Sequence, residues 1–260
     1  GGEMTYSEVI IIAVAVCGSA LIKNGVGVGA GIFLLPFLAL ALPPKLALGL
    51  GAPAMFISDI VGVKNYWGEW NKKELMILIP LAALGVVFGT YLINIVPDSL
   101  FKQGISIFAL AFSSFHIIKM IRGRYSGTKD VNSPKREREF TGNMAYSALF
   151  GLLGGMASTV AHAGGLTMSV YLLQKRSNPR TFVATLVLFF AFINLLKIVA
   201  YAKIEIINMH VMILVAMLSP VILIGGMVGN ILNKKFSQEL FRLIVLILIF
   251  IIGLRLHLSV

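Results

Sequence analysis

The sequence predicts an all-α, polytopic membrane protein. About ten membrane segments are expected, arranged as two inverted five-segment repeats with Gly-interrupted short or re-entrant helices. Three observations predict it: a composition too apolar for water, a row of charge-free runs of spanning length, and glycine patterns that recur in the same order in both halves.

Of the 260 residues, 58% are hydrophobic and only 13% are charged, about half the charged share of a soluble domain. Mean hydropathy is +0.91. Such a chain cannot cover a water-facing surface with charge, which excludes an ordinary soluble enzyme, a disordered chain and a coiled coil. The net charge is still +11, from 22 basic and 11 acidic residues. A basic balance admits nucleic acid, an anionic membrane face or an anionic substrate, and the placement of the charges decides among them. One cysteine, Cys17, excludes an intrachain disulfide and a cysteine-based metal cluster. No cofactor is expected. Gly1 to Glu8 carry no positive n-region, so no cleavable signal is read there.

A helical span needs about 20 apolar residues. Two stretches are too long for one span and too short for two: Val9–Pro44, interrupted only by Lys23, and Phe140–Gln174. Glycines crowd the middle of each, Gly18, Gly25, Gly27, Gly29 and Gly31 in the first and Gly151, Gly154, Gly155, Gly164 and Gly165 in the second. Each reads as one helix followed by a short or broken one. The remaining runs read as ordinary spans, giving five segments before the one long polar stretch, Arg122–Thr141, and five after it.

That stretch carries Arg122, Arg124, Lys129, Lys135, Arg136 and Arg138. Short basic loops stay cytoplasmic, so it is placed inside, in a cell (inner) membrane. Counting spans outward puts Lys45, Lys102, Lys197, Lys203 and Arg255 outside and the other basic residues, Lys23 among them, inside. This bias orients the protein and removes the need for a nucleic-acid partner. Tyr66, Trp67 and Trp70, beside Lys64, Lys72 and Lys73, read as an interfacial aromatic belt.

The halves repeat weakly. Gly29-Ala30-Gly31-Ile32 matches Ala163-Gly164-Gly165-Leu166, Gly85-x-x-x-Gly89 matches Gly225-x-x-x-Gly229, and Leu100-Phe101-Lys102 matches Leu240-Phe241-Arg242. An odd number of segments per half inverts one half against the other. The units are 5–121, a basic cytoplasmic loop at 122–141, and 142–258. Paired broken helices in inverted repeats mark secondary transporters, with the substrate near the midplane. For Gly85/Gly89 and Gly225/Gly229 helix packing is the better reading, since nothing polar accompanies them.

Helix breaks expose backbone N–H groups and positive dipole ends, which attract anions. The candidate binding residues are Asn24, Gly25, Gly27, Gly29 and Gly31 in the first stretch, with Ser158, Thr159, His162, Gly164, Gly165 and Thr167 in the second. Each polar member has a plainer alternative, a bond to a neighbouring backbone carbonyl. No Gly-Lys-Ser/Thr follows the glycines, so this is no nucleotide loop.

The Gly-rich first hairpin followed by Pro36, its echo after a basic central loop, and the two five-segment halves resemble the TauE/SafE (TSUP) sulfite exporter family over roughly Glu8 to Leu256. The resemblance implies transport of small sulfur-containing anions such as sulfite, sulfoacetate or other organosulfonates, with export the expected direction. The thiosulfate-uptake branch uses several membrane cysteines, which a chain with only Cys17 lacks.

Ionisable groups inside spans are expensive. The candidates for coupling to a proton or Na+ are Asp59, Asn194, which aligns with it at an offset of 135, and Lys197, one turn on. An Asp in one half and a Lys in the other can pair across the midplane. The plainer reading puts Asp59 near the inner interface and lets Lys197 snorkel to the outer one. His162 sits inside the broken segment and suits proton coupling. An enzyme would need clustered catalytic groups, and His116, His162, His210 and His257 are scattered. The alternatives kept open are an anion channel and a transporter of another small anion or metabolite. The partners implied are a small anion and the lipid bilayer, in a monomer or a homodimer.

Overall fold

A computed structural model describes residues 5–25, 29–125, 144–173, 179–235 and 238–259. Its elements are helices: α1 (Tyr6–Gly25), α2 (Ala30–Leu38), α3 (Pro44–Asn65), α4 (Lys72–Ile95), α5 (Asp98–Tyr125), α6 (Met144–Ala161), α7 (Gly164–Leu173), α8 (Pro179–Lys203), α9 (Met209–Lys235) and α10 (Gln238–His257). Seven of them, α1, α3, α4, α5, α8, α9 and α10, are long and apolar enough to cross a membrane. At 1.5 Å per residue the 24 residues of α4 reach about 36 Å, more than a hydrocarbon core of about 30 Å. The 9 residues of α2 and the 10 of α7 reach about half that core. Gly27 and residues 126–141 of the basic loop lie outside the described residues.

Local sequence explains the boundaries. Pro43 and Pro44 open α3, where a proline's missing N–H costs nothing. Asn71 caps α4, its Oδ1 accepting from Lys73 N at 3.1 Å and Glu74 N at 3.3 Å. Asp98 in the first turn of α5 faces Lys45 at 3.4 Å and favours the positive helix end. Leu84, Phe88, Tyr91, Phe115, Met217 and Ile251 stand exposed on the outer helices, a surface made for lipid.

The short helix α2 lies inside this apolar surface, whereas α7 is buried at Gly164, Met168 and Tyr171 and exposes Val170. In α2 only Phe37 is not buried, and α3 is buried without interruption from Ala47 to Ala54. Around them the helices pack in matching pairs: α1 with α9 and α4 with α6, α3 with α8, α5 with α10. The two glycine pairs sit at equivalent crossings. A Cβ on Gly85 or Gly89 would press into α6 at Leu152 or Thr159, and one on Gly225 or Gly229 would overlap the Cys17 or Leu21 carbonyl of α1. These four glycines therefore pack helices, and they do so close to the backbone.

Candidate functional site

The α6–α7 break turns on a histidine. After Ala161, His162 adopts the left-handed region (φ 51°) and α7 starts at Gly164. A non-glycine residue there stores roughly 1–3 kcal/mol of strain that its surroundings must overcome. The surroundings here are two ring partners. Nε2 lies 3.1 Å from the Leu48 carbonyl and Nδ1 2.8 Å from Lys197 Nζ. A carbonyl can only accept and an ammonium can only donate, so these partners select the neutral ring with its proton on Nε2. Two glycines make the room. A Cβ on Gly51 would overlap Nε2, and a Cβ on Gly31 would overlap the His162 carbonyl oxygen.

Lys197 is completely buried. Besides His162, its Nζ donates to Ser158 O at 3.1 Å and to Ser158 Oγ at 3.2 Å. One turn on, the Tyr201 hydroxyl donates to Thr159 O at 2.5 Å. Both side chains thus close the last turn of α6, where carbonyls lack helical partners and the dipole is negative. The snorkelling expected of Lys197 is overturned for that reason: α8 runs on to Lys203, so Lys197 lies nearly two turns inside its helix, with three acceptors waiting.

In the first half, Lys23 at the end of α1 forms an ion pair with Asp59 of α3. The carboxylate is completely buried, and its second oxygen accepts from Asn194 Nδ2 at 2.7 Å. Asp59, which the plainer sequence reading put near the inner interface, is buried within the protein. The charge-free run ends at Ser58, but α3 continues to Asn65, which carries Asp59 into the interior. Lys23 follows its carboxylate. Nor do Asp59 and Lys197 pair directly; Lys197 acts on Asp59 through space. With both lysines protonated and Asp59 ionised, this buried group carries one positive charge more than it neutralises. Ser58 Oγ and Asn194 Oδ1 are buried without a hydrogen-bond partner among the described residues.

A cavity of about 50 Å³ lies between the two breaks, room for a few waters or a compact ion. The first turns of α2 and α7 wall it on two sides, through Gly29, Ala30 and Gly31 and through Ala163, Gly165 and Leu166. Lys23, Ser158 and His162 supply its polar side chains. Ser158 Oγ accepts from Lys197, which leaves its own proton for the cavity. Gly29 (φ 96°) is the left-handed residue ahead of α2, the conformation glycine adopts without penalty. A second space of about 10 Å³, one water in size, adjoins Lys23, Ser19 and Ser58.

Of the residues singled out in the sequence, Gly29, Gly31, Ser158, His162 and Gly165 therefore meet at the cavity. Others turn elsewhere. Asn24 donates to Ala20 O at 2.8 Å on its own helix. Thr159 Oγ1 donates to Gly155 O at 2.8 Å. Gly25 lies against Phe241, and Gly164 against Ser158 and the Gly154 carbonyl. Thr167 is half-buried and outside the cavity walls. Lys23, Gly51, Leu48 and Tyr201 were not singled out. Lys23 carried a readable signal, since it is the one charge interrupting the apolar stretch ahead of the glycines; the other three carried none.

A family model described as sulfite exporter TauE/SafE matches residues 11–256. No curated protein and no solved structure matches the chain.

Proposed function

We propose that this chain, which belongs to the sulfite exporter TauE/SafE family, binds the oxyanion head of sulfite or an organosulfonate in the cavity between its two helix breaks. Family membership makes it a multi-pass membrane transporter of sulfite or related anions and not an enzyme. The observation that carries the finer reading is the cavity itself. Two helix N-termini border a space that also receives Lys23, which pairs with the buried Asp59. Three oxygens on one sulfur accept from backbone N–H groups of α2 and α7, from the Ser158 hydroxyl and from the free protons of Lys23.

The inverted repeat supports alternating access. Exchanging the first five helices for the last five turns α1–α9 packing into α6–α4 packing and maps α3–α8 and α5–α10 onto themselves. Asp59 and Asn194, aligned with each other by offset, are also hydrogen-bonded to each other, as residues beside a two-fold axis between α3 and α8 would be. In this reading the halves rock about the cavity, residues 122–141 are cytoplasmic, and transport is outward across the cell membrane. Coupling runs through Asp59, Asn194, Lys197 and Lys23. A proton suits this group better than Na+, which would have to compete with two ammonium groups for one carboxylate.

The test is radiolabelled sulfite flux in proteoliposomes, together with thermal-shift titration of the purified chain by sulfite, sulfoacetate, sulfate and a neutral solute. Stabilisation by sulfite or a sulfonate, lost in Lys23→Gln, is expected. Stabilisation that survives Lys23→Gln unchanged, or that appears only with the neutral solute, overturns the site.

A further inference from the structure

Another cavity, about 40 Å³ in volume, shares two wall residues with the central one, Gly29 and Leu166. It follows the seam between α5 and α10, past Phe112 and Ile249, to His116 and Arg242. These two helices are antiparallel. Late α5 meets early α10 at His116 and Arg242, while early α5 meets late α10 at Ser106 and His257. The His116–Arg242 end is therefore the end from which α5 leads toward residues 126–143.

The two ends of this seam treat their basic residues differently. Lys102, the residue aligned with Arg242 in the repeat, donates to the Ser259 carbonyl at 3.0 Å, and Ser106 bonds His257 at 3.2 Å. That end is tied together. Arg242 is exposed and lines a cavity, and it has no ion pair among the described residues. Arg242 and Lys119 together set a positive field at His116. Apolar walls on either side keep such a field from being screened as it would be in water.

We propose that Arg242, with His116 beside it, forms an anion-recruiting site on the loop side, one step from the central cavity, through which the transported oxyanion passes at Gly29 and Leu166. The proposal rests on the central reading, but it assigns a separate site with a separate task. Lys23 holds the bound anion, whereas Arg242 draws it in.

Rapid-mixing binding of radiolabelled sulfite to the full chain in phosphatidylcholine nanodiscs separates the two. Arg242→Gln is expected to slow association about tenfold and to weaken its dependence on ionic strength. The equilibrium Kd should stay within about twofold, because a charge that the anion passes and leaves behind lowers the barrier to arrival and departure alike without touching the bound anion. Arg242→Lys should stay close to the wild-type chain, and Lys23→Gln should raise Kd. An unchanged association rate in Arg242→Gln, or a Kd that rises as in Lys23→Gln, overturns the proposal while leaving the central site standing. So does a wild-type association rate that is flat in ionic strength, a measurement that needs no variant. If the Arg242→Gln effect appears only when phosphatidylglycerol is added to the discs, Arg242 serves a lipid phosphate and the proposal falls. Absence of any sulfite binding by the wild-type chain would instead overturn the central reading.

Discussion

The two helix breaks share one backbone design and differ in their side chains. Each ends a helix, passes a left-handed residue and starts another helix, with 9 described residues in α2 and 10 in α7. At the first break that residue is Gly29 and the nearby charge is Lys23, paired with Asp59. At the second it is His162, and Lys197 is spent on it and on Ser158. One half contributes a cation that can turn toward a ligand; the other contributes a fixed scaffold. The two breaks share their geometry, and the side chains that differ between them set their chemistry.

The largest expected effect comes from breaking the first half's contribution. Lys23→Gln removes the cavity's positive charge and leaves Asp59 buried with only Asn194. Loss of one partner of a buried ion pair costs about 3–5 kcal/mol, so the thermal midpoint should fall sharply and sulfite binding should vanish. The Lys23→Gln/Asp59→Asn double variant separates the causes. Its thermal midpoint should recover most of the way, while binding stays absent. A double variant that regains binding would show that Lys23 serves only to neutralise Asp59.

Next in size is a contrast between matching glycines. Gly31→Ala drives a Cβ into the His162 carbonyl, backbone against backbone, and overpacking of this kind costs about 1–3 kcal/mol. Gly165 has nothing within 4 Å of its would-be Cβ. Gly165→Ala should leave the thermal midpoint unchanged while its methyl occupies the cavity and weakens sulfite binding. Equal destabilisation by both would mean that the two short helices are not distinct in packing.

The breaks were legible in the sequence because length and glycine act locally: a 35-residue apolar run cannot be one span or two. The small-residue crossings at Gly85/Gly89 and Gly225/Gly229 were legible too, from spacing on one helix face. Depth was not. Asp59 bounds a charge-free run, but α3 continues past it to Asn65, and only tertiary contact with Lys23 and Asn194 buries it. Asn24 shows the same limit from the other side. It is adjacent to Lys23 in sequence but about 100° further round the helix, against Gly226, so it bonds its own helix. Gly51 and Leu48 left no mark, since their role is to receive a ring from another half of the chain.

A smaller effect tests the scaffold. His162→Gly relieves the left-handed strain but deletes both ring bonds and opens space beside Gly51. The strain relief is worth about 1 kcal/mol, against roughly 0.5–1.5 kcal/mol for each lost hydrogen bond, so its thermal midpoint should fall slightly. His162→Ala, which loses the same bonds and keeps the strain, should fall further. The reverse order in a thermal melt would remove strain from the account of this break.

The smallest expected effect distinguishes neighbours one position apart. Thr159 Oγ1 is committed to Gly155 O within α6 and does not line the cavity, so Thr159→Val should cost about 1 kcal/mol and leave sulfite affinity unchanged. Ser158→Ala removes a hydroxyl that accepts from Lys197 and faces the cavity. It should cost a similar amount of stability yet weaken sulfite binding severalfold, about one charge-assisted bond's worth. Titration of both variants with sulfite in the same nanodiscs makes the comparison direct. If Thr159→Val weakened binding as much as Ser158→Ala, the second break would act on the anion through the packing of its whole last turn, and the assignment of the Ser158 hydroxyl as a donor to the anion would fail.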